Sequence, residues 1–254
     1  MELKEQVREL RLQGKSPKEI ARALKVSPSV VAPLVRAIAA ETAESAEATG
    51  PGEAEVAGCW INVGWSEGLG IDPARGWVDE APASGVGGMV CVLVARRHTW
   101  DRLSVCGYLA DVYCTGVKSV IGPDVLDDRD LVRFREYFFG EYPAWQEAPI
   151  ELARHLVFGS VDYARKLGFE PHDLFALGSD LLGKWEEEPA VTFGRDGKPF
   201  YVEGPDDDPA KVLRTLRRTL SDDEFGYVTA GRVTRNVRLR RPEASPVAGS
   251  PVPG

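Results

Sequence analysis

The residues with the clearest chemical potential are Asp111 and a helical set of Glu151, His155 and Asp162. Asp111 interrupts the apolar run GYLADVYC. A carboxylate in a strand that otherwise reads as buried costs free energy unless it is paired or hydrogen-bonded. As a functional group it would be a metal ligand or a general base. As a structural group it would form a salt bridge, with Lys118 as partner, or close a turn at the strand end. The structural roles are the expectation, since ordinary ion pairs perturb carboxylates as well.

Glu151, His155 and Asp162 stand four and seven residues apart, offsets that return to one face of a helix. A Glu and a His one turn apart can share a metal. The second His of a zinc-protease signature is missing. The expected arrangement is therefore an exposed pair beside the apolar stripe of Leu152, Leu156, Ser160, Tyr163 and Leu167. Gly159 beside His155 leaves room for a close backbone or a ligand. Catalytic candidates are thus Asp111 and His155, and metal candidates are Glu151, His155 and Asp162. Their convergence would make the core a metal-dependent hydrolase or nuclease. His172 reads as a loop or cap residue, and nothing supports an all-His site of His98, His155 and His172. The run GPDDDP could hold a divalent cation through carboxylates, but Asp208 is more simply a helix cap, with Asp206 and Asp207 favouring the helix N-terminus. No nucleophile elbow, phosphate loop or dinucleotide fingerprint is present, and no cofactor is expected.

Composition constrains the setting. Cys59, Cys91, Cys106 and Cys114 lack metal-ligand spacing, and reduced core cysteines are expected. No apolar run reaches the roughly 20 residues that span a bilayer, and the charged start MELKEQVREL is no secretory signal. A cytoplasmic protein without membrane contact is the expectation. The net charge of −8 is unevenly spread. Residues 1–40 hold eight Lys/Arg against four Glu, and residues 41–57 hold five Glu and no basic residue. An acidic core repels phosphate backbones, so nucleic-acid contact would fall to the basic ends.

The elements that must position these groups follow an α+β order, strands first, then helices, then a hairpin. CWINVGW is a strand, and MVCVLVARR and RLSVCGYLADVYC form an antiparallel hairpin. Asp127 or Asp128 caps a helix over LVRFREYFF. Pro149 opens the helix IELARHLVFGSVDYARKLGF, which Gly168 ends. HDLFALGSDLL forms a short helix. Asp196-Gly197 turns a second hairpin, and Asp208-Pro209 starts a last helix. The expected domains are a trihelical module over 1–40, a flexible acidic linker over 41–57, an α+β core over 58–228 and a disordered basic, Pro-rich tail over 229–254.

In the module, a first helix ends at Gly14. Ser16-Pro17 and Ser27-Pro28 open the next two. The segment SPKEIARALKVSPSVVAPLVRAI resembles the helix-turn-helix family of DNA-binding modules. Ala21 matches the small residue where two helices meet, Val26 and Ser27 the turn, and Val31 and Leu34 the inward positions of the recognition helix. The resemblance implies that the third helix lies in the major groove. Lys25 stands where the family usually has Gly. The base-facing positions would be Ser27, Pro28, Ser29, Ala32 and Pro33, none of which makes a discriminating bidentate contact. Lys15, Lys18, Arg22, Lys25 and Arg36, with Ser27 and Ser29, would hold DNA mainly through phosphates. In the core, HLVFGSVDYARKLGFEPH and FGRDGKPFYVEGP resemble phrases in uncharacterised bacterial proteins, which implies no activity. The leading expectation is a bacterial, DNA-associated protein, regulatory in one form of this reading, whose acidic core senses a ligand, dimerises or meets a protein partner. The alternatives are the metal-dependent hydrolase and a non-catalytic adaptor.

Overall fold

The computed structural model describes residues 3–13, 15–46, 54–80, 87–99, 101–185 and 190–229. Three helices come first: α1 (Leu3–Leu12), α2 (Pro17–Leu24) and α3 (Pro28–Ala46). Strand β1 (Val56–Asn62) leads through the short β2 (Gly70–Ile71) to β3 (Met89–Thr99), β4 (Arg102–Asp111) and β5 (Gly116–Leu126). Helix α4 (Asp128–Phe138), strand β6 (Trp145–Glu147) and helix α5 (Ile150–Lys166) follow. The chain continues through α6 (Phe175–Gly178), β7 (Val191–Thr192), β8 (Phe200–Val202), α7 (Pro209–Leu216) and β9 (Gly226–Val228). The class is α+β, built on an antiparallel sheet in the order β5-β4-β3-β1-β6.

Both faces of this sheet are covered, which explains why its strands read as unbroken apolar runs. In β3, Val90, Val92 and Val94 join the core beneath α5, while Cys91, Leu93 and Ala95 face the cluster beneath α4. Leu152, Leu156, Val157 and Val161 bring α5 onto the first face. Leu131 and Phe134 bring α4 onto the second. Gly107 makes room there: a Cβ at this position would lie 2.5 Å from the Phe138 ring. Arg135 clamps α4 to β1 and β6 by lying over Trp60 at 4.9 Å and Trp145 at 4.0 Å.

The hairpin β3–β4 pairs as the sequence predicts, and Asp127 caps α4, accepting from Asp130 N–H at 2.8 Å. Pro149 is the N-cap of α5 itself. Strand β5 was not legible, because Gly122 and Pro123 interrupt it. It is an edge strand, where Pro is tolerated. Its register with β4 shifts opposite that point, between Val105 and Gly107. A Cβ on Gly122, at φ 103°, would meet the Val105 carbonyl oxygen at 2.5 Å. The second hairpin is corrected. Asp196 and Gly197 do take φ 54° and 79°, but the paired region is one bridge, Arg195 with Lys198. The flanking strands then part, β7 to β2 and β8 to β9.

The trihelical unit rests directly on the core, and the expected linker is shortened. Residues 41–46 extend α3. At the other end, Glu55 O accepts from Arg97 N–H at 2.8 Å, so the sheet begins before residue 58. Residues 47–53, Gly14 and the tail from 230 lie outside the described residues. Val7, Ile20, Val31, Val35 and Ile38 belong to the same buried cluster as the sheet. Helix α3 packs on β5 and α6. Arg11, 1% exposed, points its guanidinium at Asp124 of β5, 5% exposed, across 4.0 Å. Among the described residues no helix is long and apolar enough to cross a membrane.

Candidate functional site

The surface of the trihelical unit is set by its caps. Ser16 and Glu19 form a reciprocal capping box at the start of α2. The backbone hydrogen bond from Ser16, at 2.8 Å, holds the Glu19 carboxyl below its ordinary range. At the other end Lys25 takes the left-handed conformation, φ 56° and ψ 37°. Val26 N–H then reaches back to Ala21 O at 3.0 Å, closing the helix as a glycine would allow. The turn is therefore made with Lys where Gly is the easier residue.

Inward placement of Val31, Val35 and Ile38 fixes the rotation of α3. Ser29, Pro33 and Arg36, two residues behind each, line the opposite, exposed face. Ser27 and Ser29 are exposed and joined through their hydroxyls at 2.7 Å. Arg22 and Lys25 are exposed, and Lys15 is half-buried. Lys18 differs from the others, because its ammonium pairs with Asp206 of the core. The seven residues singled out in the sequence thus lie on one small unit, but Lys18 among them is already paired with an acidic residue of the core.

The core candidates do not converge. Asp111 serves a turn. Its Oδ1 accepts from Tyr113 N–H at 2.9 Å and Cys114 N–H at 3.1 Å. Its Oδ2 accepts from Thr115 N–H at 2.9 Å and the Thr115 hydroxyl at 2.7 Å. Burial raises its pKa, and these hydrogen bonds oppose the rise. Lys118, the expected partner, instead donates to Asp207 at 2.7 Å. Asp207 also accepts from Gly204 N–H and the Tyr201 hydroxyl, while Asp208 caps α7. The three aspartates of GPDDDP therefore have separate partners, and among the described residues no three acidic side chains are grouped to hold a cation.

On α5 the stripe is also divided. Glu151 is exposed and lines a hollow with Trp77 and Gln146. His155 is not the exposed residue expected: it is 7% exposed, and its Nδ1 donates to Glu151 O at 2.8 Å. Asp162 accepts from the Trp185 indole N–H at 3.1 Å. Among the described residues no three His, Cys, Asp or Glu side chains are grouped to hold a metal. His98 of β3 meets the Ser104 hydroxyl of β4 at 3.1 Å, and His172 Nδ1 accepts from Leu174 N–H at 3.2 Å within its own turn. The four cysteines are buried and free, and burial pushes the Cys59, Cys91 and Cys106 thiols up to about 12. They are inert as nucleophiles at neutral pH.

No protein-family model, curated protein or solved structure matches the chain. Function is therefore argued from residues alone. The tertiary structure adds one grouping that sequence did not offer. Trp77 and Trp185 meet His155 edge-on, with ring centroids 4.9 and 5.1 Å away. A hollow of about 570 Å³ runs along α5 from His155 past Gly159 to Lys166, faced by Trp185 and Phe193. Its walls come from α5 and from Trp185 and the stretch 191–197 that follow it. Gly159 was the one sequence signal, and a Cβ there would lie 2.6 Å from the Phe193 ring.

Proposed function

We propose that residues 3–46 form a helix-turn-helix unit through which this protein associates with duplex DNA, chiefly by phosphate contacts. The observation that carries this reading is the exposed stripe of α3, Ser29, Pro33 and Arg36, with exposed Arg22 and Lys25 near its start. The start of a 19-residue helix adds the positive end of its dipole. Short side chains on the stripe favour close approach to the backbone and give little discrimination among bases. The core then acts as the body that holds the unit and carries its ligand or protein contacts.

The test is fluorescence anisotropy of the full-length protein with an arbitrary labelled duplex across salt concentrations. Binding at low salt should weaken steeply as salt rises, with little change between duplex sequences. Charge reversal at Arg22, Lys25 and Arg36 should reduce the salt slope by about 1 per residue. Absence of duplex binding at low salt, or a slope unchanged by the triple reversal, overturns the reading.

A further inference from the structure

The hollow along α5 is walled on one side by a ring that makes the contacts a bound ligand would make. Trp185 stacks on Phe158, with centroids 5.7 Å apart and planes inclined by 19°. It also meets His155 edge-on and donates its indole N–H to Asp162. One indole therefore touches an aromatic face, a carboxylate and an imidazole at once.

His155 shows what this arrangement leaves unfinished. Its Nδ1 faces a backbone carbonyl, which only accepts, so Nδ1 carries a proton. In the neutral ring Nε2 is then an acceptor, on the edge turned away from the helix backbone. That atom is buried without a hydrogen-bond partner. A buried polar atom left unmatched costs roughly 1–3 kcal/mol. The Trp185 ring packs edge-on against the His155 ring, as Trp77 does, but spends its single N–H on Asp162. Replacing the indole by a flat molecule with donors at both ends would satisfy both acceptors.

We propose that a planar aromatic cation of the aryl amidine or guanidine class binds at this wall of the hollow, in the place that Trp185 takes in the unliganded protein. The ligand ring stacks on Phe158 after Trp185 swings out. Its amidinium donates to the Asp162 carboxylate in the two-bond geometry that such forks favour. A second donor on the opposite ring edge meets His155 Nε2. Lys166 also lines the hollow and opposes a cation, but it is exposed at the end of α5. The site lies in the core and is read without DNA, so its fate is separate from that of the DNA reading.

The test is calorimetric titration of the full-length protein with 4-aminobenzamidine, benzamidine and 4-aminobenzoate. The first should bind about tenfold more tightly than the second, the value of one hydrogen bond. The benzoate, of similar shape and opposite charge, should not bind. Asp162→Asn should remove the preference for amidine over benzoate. His155→Phe should keep binding but erase the advantage of the amino group. Trp185→Phe removes the competing N–H and should tighten both amidines, while thermal melting checks that each variant is folded. No binding of 4-aminobenzamidine to the wild type, equal binding of the benzoate, or indifference to Asp162→Asn overturns the proposal. Weaker binding in Trp185→Phe would make the indole a contact of the ligand and overturn its role as occupant.

Discussion

Two buried carboxylates of the same sheet have opposite surroundings. Asp111 ends β4 and Asp124 lies near the end of β5, and they are 4% and 5% exposed. Burial raises both. Asp111 is met by donors from residues two to four positions ahead, so the turn that needs a cap supplies the bonds. Asp124 has no such turn. It faces Arg11 of α1 across 4.0 Å, and its Oδ2 and the Arg11 Nη1 both lack a hydrogen-bond partner. One carboxylate stabilises a local turn. The other holds two parts of the molecule in register at an electrostatic cost, as buried ion pairs commonly do.

The largest effect should come from breaking the local site. Asp111→Ala strands three backbone N–H groups and the Thr115 hydroxyl, and should cost about 3–5 kcal/mol in urea unfolding. Asp111→Asn keeps one acceptor oxygen and should cost about half as much.

At the junction, Arg11→Met leaves Asp124 buried beside an apolar chain and should cost about 2–4 kcal/mol. The double variant Arg11→Met with Asp124→Leu should recover most of that loss, since a packed apolar pair avoids desolvating two charges. A double variant no more stable than Arg11→Met would show that the pair is worth more than its geometry indicates.

The pH dependence separates the two further. A carboxyl raised in the folded state binds its proton more tightly there than in the unfolded chain. Its contribution is therefore most favourable below the ordinary value of 3.8 and declines as pH rises through the raised value. Asp124→Asn should flatten that decline above pH 3.8 in thermal melts. An unchanged profile would place the decline at Asp111 or elsewhere.

The smallest effect concerns another local device. Lys25→Gly relieves a left-handed non-glycine residue and should raise the melting stability by about 1 kcal/mol. A loss of stability would mean that the Lys25 side chain contributes more than its backbone costs.

Local chemistry made part of this structure legible. Ser16-Pro17 and Asp208-Pro209 announced α2 and α7 because a cap needs only its own next three residues. Asp127 announced α4 for the same reason. The alternation of β3 was hidden by burial on both faces, yet its apolar run still identified a strand. Strand β5 was lost because its Gly122-Pro123 pair is permitted only by a place at the sheet edge, which adjacent residues do not reveal. The candidate site was less legible. Offsets of four and seven put Glu151, His155 and Asp162 near one another on α5. They did not reveal that His155 is buried between two tryptophans or that Asp162 receives the Trp185 indole.

By itself the sequence determined the caps, the α+β class, the trihelical start and the candidate role of Asp111 in a turn. Each depends on interactions spanning a few residues, whose geometry the backbone dictates. Tertiary structure alone decided that the trihelical unit rests on the core, that Lys18 and Lys118 pair with Asp206 and Asp207, and that Trp185 walls the hollow beside His155. Those contacts join segments separated by tens to hundreds of positions, and their partners are selected by packing and desolvation once the sheet has formed.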